Sequence, residues 1–164
     1  MSLLQFCEWA YASPVGVMVR ESLWGFQILV AFHILGLTLS VGTIVWLDLR
    51  LLGISMQRCR ASEMSRRLMP WSLTGSLVMF VTGGMLFAGF ATTAYGNLYF
   101  RIKLAAMLLA GLNAAMYHLV TEREIARWDA AARPSFGARC AGAASILLWT
   151  AVILCGRMMS YTMF

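Results

Sequence analysis

The sequence predicts an all-α fold: a transmembrane four-helix bundle with both ends on the non-cytoplasmic side and a short interfacial N-terminal helix. Three observations predict it. First, 60% of the 164 residues are hydrophobic, only 12% are charged, and the mean hydropathy is +0.73. Soluble domains carry about 25% charged residues, so there is too little polar surface here to coat a water-soluble globule. Second, four continuous apolar runs each approach the ~20 residues needed to span a bilayer as a helix. None alternates polar and apolar residues with the period of two that a membrane strand would show. Third, nine of the thirteen basic residues fall in two loops on one side, as the positive-inside rule expects of cytoplasmic loops.

The segment before the first run, Met1 to Tyr11, lacks a basic start and carries Glu8 early, so it does not read as a cleaved signal peptide. It reads as an amphipathic helix at the interface, with Leu3, Leu4, Phe6 and Trp9 towards lipid. The four spans lie at about 23–47, 71–93, 98–120 and 138–156, within one domain over 1–164. Pro70 stands where the second span opens, a position at which a missing N–H costs little. Arg50, Arg58, Arg60, Arg66 and Arg67 follow the first span, and Arg123, Arg127, Arg133 and Arg139 follow the third. The first and third spans therefore run inward. Trp24, Tyr95, Tyr99 and Phe100 mark the outer ends, and Trp46, Trp71, Tyr117 and Trp128 the inner ones, as aromatic belts do.

This arrangement accounts for the net charge of +6 and removes the reason to invoke nucleic acid. The lipid bilayer, in a bacterial inner membrane, is the expected surrounding. The cysteines Cys7, Cys59, Cys140 and Cys155 form no close pair, so neither a disulfide framework nor a zinc motif is expected. Small residues at four-residue spacing (Ala106, Ala110 and Ala114; Gly84 and Ala88; Ala138 and Gly142) permit close helix packing within a bundle or between copies, and a homo-oligomer is expected.

Polar residues inside a membrane are costly and point to function. The first span holds Gln27 and His33, the third Lys103, Asn113 and His118. The acidic residues are expected at or outside the membrane boundaries, with Asp48 as an inner-surface anchor. His33 lies deep in the run AFHILG, and Gly36 one turn on leaves room for a flat macrocycle. Histidine is a common axial ligand of haem iron. The competing reading is a histidine hydrogen-bonded to a neighbouring helix. His118 lies nearer the inner end, where an interfacial role beside Glu122 competes with ligation. Counted from Asp48 and Glu122 the two histidines differ in depth by roughly 16 Å, and from Glu21 and Arg101 by roughly 8 Å. One haem shared by both is therefore disfavoured. Met85, Met107 and Cys155 fall near the depth of His33 as second ligands, and Arg101 and Lys103 either bind propionates or anchor at the interface. Imidazole, thioether and thiolate would also suit copper, though no tight cluster of them is present. No hydrolytic triad, phosphate loop or carboxylate pair appears.

The stretch ESLWGFQILVAFHILGLTLSVGTIVWLDLRLLG resembles the opening of a set of uncharacterised bacterial four-helix membrane proteins. Those proteins are distantly similar to the membrane part of copper resistance protein CopD. The stretches LTGSLVMFVTGGMLF and YGNLYFRIKLAAMLLAGLNAAMYH are similar too, so the resemblance runs from Glu21 to His118. It implies an inner-membrane bundle with histidines on the first and third helices, here His33 and His118. The CopD side implies copper handling or small-solute transport; the histidine pattern is similar to small membrane cytochromes b. The expectation is a b-type haem protein in electron transfer or redox sensing, with a redox partner or quinone. Copper handling, small-solute transport or an accessory role in a larger complex are the alternatives.

Overall fold

A computed structural model describes residues 2–56, 59–121 and 134–163. Among these, the elements are α1 (Leu3–Ala12), α2 (Pro14–Glu21), α3 (Gly25–Leu51), α4 (Ala61–Gly96), α5 (Leu98–Met116), a π turn (Tyr117–Thr121) and α6 (Phe136–Met163). The helix starts are written into side chains. Ser2 and Gln5 form a reciprocal capping box on α1. The Ser13 hydroxyl accepts from the Gly16 N–H at 3.1 Å, with Pro14 as the first residue of α2. The Asn97 carboxamide oxygen accepts from the Tyr99 and Phe100 N–H groups at 2.9 and 3.2 Å, so one residue turns α4 into α5.

Four helices, α3 to α6, are long and apolar enough to cross a membrane. The chain is a multi-pass membrane protein with a four-helix bundle. Leu77, Phe80, Leu108, Leu112, Leu147 and Leu154 stand exposed on its outside, where acyl chains would meet them. Thr162, near the end of α6, accepts from the Asn97 side-chain amide at 2.8 Å, and α1 and α2 pack on the same end of α4. Both chain ends thus lie at one end of the bundle.

The bundle is two antiparallel hairpins. In the first, α3 crosses α4 where glycine faces glycine. A Cβ on Gly36 would come within 3.0 Å of the Gly75 carbonyl, and one on Gly75 within 2.5 Å of the Ser40 nitrogen. The second hairpin joins α5 to α6, with Ala106 and Ala110 buried. The hairpins meet through α3 and α6 at the inner end, where a Cβ on Gly142 would stand 3.0 Å from the Asp48 carbonyl. Consecutive α4 and α5 make little contact, although Phe87 and Phe100 stack at 5.4 Å.

Several expectations need correction. The helix that carries the second span starts at Ala61, ten residues before Trp71, so Pro70 lies inside α4. Buried Ala61 and Ser65 hold that extra length against the bundle. The N-terminal helix does expose Leu3, Leu4, Phe6 and Trp9, but Cys7 and Ala10 dock it onto Ala91 of α4. A second short helix, α2, completes this cap. Its Gly16 sits so close to α4 that a Cβ would stand 2.8 Å from the Ala88 carbonyl. Here α4 bends: Phe90 leaves the helical conformation (φ −133, ψ 25), and Arg20 donates to the Gly89 carbonyl at 3.2 Å. Insertion of a donor into the helical ladder is an ordinary cause of such a kink.

Candidate functional site

His33 is half-buried on α3, against α4. Its Nδ1 lies 3.0 Å from Thr82 Oγ1, and that hydroxyl lies 2.6 Å from the carbonyl of Val78, one turn back on α4. A hydroxyl has one hydrogen, and the helical carbonyl takes it. In the tautomer this favours, Thr82 accepts from Nδ1–H and Nε2 keeps a lone pair; the Met79 backbone of α4 is a further hydrogen-bond partner of the ring. The ring lies over Gly83, whose Cβ, if present, would be 3.0 Å from His33 Cε1. Gly84, beside it, has nothing within 4 Å of where a Cβ would stand. The imidazole packs directly on Gly83, and Gly84 faces outward from the bundle. Gly36 is buried in the α3–α4 crossing and leaves no room for a macrocycle.

Lys103 approaches from the other hairpin. It is half-buried, and its Nζ lies 3.7 Å from where a Cβ would stand on Gly156 of α6. It is close enough to interact electrostatically with both His33 and Cys155. Lys103 is thus turned into the bundle, whereas Arg101 is exposed. Met107 is half-buried one turn inward of Lys103.

His118 stays apart. It stands in the π turn, edge-on to Tyr117 with ring centroids 5.4 Å apart. Asp48 lies opposite Gly142, and Asn113 donates to the neighbouring Ala141 carbonyl at 3.0 Å, which puts Asp48 and Asn113 at one depth. His33 is fifteen residues outward of that level and His118 five inward, a separation of roughly 30 Å along the bundle. The two histidines of one chain do not share a site. Glu122, Trp128 and the basic residues Arg58, Arg123, Arg127 and Arg133 lie outside the described residues.

A model of a family of unknown function, DUF6644, matches residues 6–162. The chain belongs to the DUF6644 family. No curated protein and no solved structure matches it.

Sequence reasoning missed two features of this DUF6644 chain. Thr82 was not paired with His33; a hydroxyl followed by two glycines, VTGG, was the available signal. Asp48 is expected as an inner-surface anchor and Arg50 in the loop after the first span, yet both are buried, at 4% and 0% exposure. Asp48 bonds Ser145 of α6 and leaves Oδ2 unpartnered; Arg50 donates from Nε to the Cys59 carbonyl at 2.8 Å. One acidic side chain therefore does lie within the bundle. The cysteines are all free, and among the described residues no group of three His, Cys, Asp or Glu side chains could hold a metal ion.

Proposed function

We propose that this protein is a small b-type haem protein of the bacterial inner membrane, acting in electron transfer or redox sensing with a quinone or protein redox partner. The reading rests on the second ring nitrogen of His33; the His33–Thr82 bond by itself is also what the competing reading, a histidine hydrogen-bonded to a neighbouring helix, expects. Metal-bound imidazoles characteristically donate their other N–H to a fixed acceptor, which sets the tautomer and the ring plane. Thr82 does this for Nδ1 and leaves Nε2 as the donor atom. Haem brings four nitrogens of its own, so one imidazole suffices. A copper ion would draw its whole ligand set from the protein, and no group of three His, Cys, Asp or Glu side chains is found among the described residues. That contrast favours haem over copper.

In this reading Gly83 lets the imidazole lie against α4, and Lys103, turned inward from the other hairpin, would pair with a propionate. Cys155 of α6 is the candidate for the sixth position; Met107, by the same register roughly 13 Å inward of His33, is not. His118 and Gly36 are no longer in the ligand set, and Arg101 is left as an anchor. When bound, the haem would supply one-electron redox chemistry; the chain holds and orients it and keeps water from it.

The test is an absorption spectrum of protein purified from haem-replete cells. A Soret band is expected, lost in His33→Ala and kept in His118→Ala. Colourless protein, or an unchanged band in His33→Ala, would sink the reading.

A further inference from the structure

The basic end of α4 carries a groove that the haem reading does not use. Its volume is about 620 Å³, in the range of small-ligand sites. The polar end is formed by Arg60, Ser62, Ser65 and Arg66, the apolar end by Met69 and Leu73. That order follows α4 from its start towards the middle of the bundle, so the groove grades from charged to greasy in the direction of the hydrocarbon.

Among the described residues the charge here is not internally balanced. Arg67 is neutralised by Glu63 at 2.7 Å, which also occupies the one carboxylate lining the groove. Arg60 and Arg66 have no such partner among the described residues. Arg60 is also the residue before α4, and its side chain makes no capping bond to the first turn. The N-terminus of a 36-residue helix, with its partial positive charge, therefore opens at the polar end. Arg50, fully buried and bonded to the Cys59 carbonyl just before α4, leaves both terminal guanidinium nitrogens unpartnered and adds further positive charge.

We propose that this groove binds an anionic phospholipid. The phosphate would meet Arg60, Arg66 and the start of α4, and an acyl chain would run over Met69 and Leu73. Two-ended chemistry of this kind suits a lipid, whereas a free phosphate would use the polar end alone. Basic pockets at the cytoplasmic edge of membrane helices are suited to such headgroups. The proposal is independent of any cofactor at His33.

The experiment is native mass spectrometry of the full chain released from bilayers of equal parts phosphatidylglycerol and phosphatidylcholine. Wild type is expected to retain phosphatidylglycerol selectively. Arg60→Gln and Arg66→Gln should each weaken retention about fivefold, and the double variant roughly thirtyfold. Arg157→Gln removes the same charge at the opposite end and should leave retention unchanged. If Arg157→Gln weakens retention as much as Arg66→Gln, net charge alone is responsible and the groove is refuted. Unchanged retention in the double variant also overturns it. Displacement of the lipid by millimolar inorganic phosphate would show that the polar end binds free phosphate instead. Should the double variant fail to fold, as read by thermal melting, the two single variants decide.

Discussion

The two hairpins of the bundle are built differently. In α3–α4 the contact is backbone against backbone at Gly36 and Gly75, flanked by side-chain pairs that bridge the helices: Ser40 with Ser76 at 2.8 Å and His33 with Thr82 at 3.0 Å. In α5–α6 the contact is alanine packing, and polar bridges stand apart from it: Asn113 to the Ala141 carbonyl and Asn97 to Thr162. Lipid tails are as apolar as leucine, so burial against lipid gives helices little reason to associate. Close packing and interhelical hydrogen bonds must do it. The first hairpin uses both at mid-membrane, and its half-buried imidazole, His33, is part of that bridging. The second hairpin contributes a charge, Lys103, but no comparable bridge at that depth.

This contrast can be broken most severely at Gly75. Gly75→Leu would force backbones apart where a single Cβ already meets Ser40 at 2.5 Å. A loss of about 3 kcal/mol is expected, read as a lower midpoint in unfolding by SDS followed by circular dichroism. Gly111→Leu on α5, where nothing lies within 4 Å, should leave that midpoint nearly unchanged.

Thr82→Val tests the link between packing and site. It keeps the shape of the side chain and removes the acceptor of Nδ1–H, at a cost of about 1–2 kcal/mol. If His33 ligates haem, the same variant should also shift the reduction midpoint in a spectroelectrochemical titration, because the ring loses its fixed tautomer. A destabilised protein with an unmoved potential would confine Thr82 to a structural role.

The bridges themselves should be weaker. A double-mutant cycle of Ser40→Ala and Ser76→Ala is expected to give about 0.6 kcal/mol of coupling, typical of hydrogen bonds inside membranes. Asn113→Ala should cost a similar amount in the second hairpin. A larger value for Asn113 than for the serine pair would reverse the ranking of the hairpins. The smallest effect is expected at Arg67. Its ion pair with Glu63 is exposed and four residues apart on one helix, worth about 0.3–0.5 kcal/mol. Raising the salt concentration should abolish even that.

The sequence by itself determined the four apolar helices and, among the described residues, the absence of strands. These follow from a rule that acts locally: a backbone in hydrocarbon must bond to itself. His33 and Lys103 were legible as site residues because a polar group in an apolar run stands out in one dimension. What only the tertiary structure decided is which neighbour each residue meets. Gly36 is as small facing a helix as facing a cofactor, and the crossing with Gly75 chose the former. Asp48 and Arg50 sit at the end of a span whether they anchor at the surface or turn inward, and contact with α6 and the loop before α4 buried them. Thr82 is an ordinary helix residue until α3 brings His33 against it. Depth works in the same way: counting from helix ends underestimated the separation of His33 and His118. The register between helices is set by the glycine contacts, which no single helix contains.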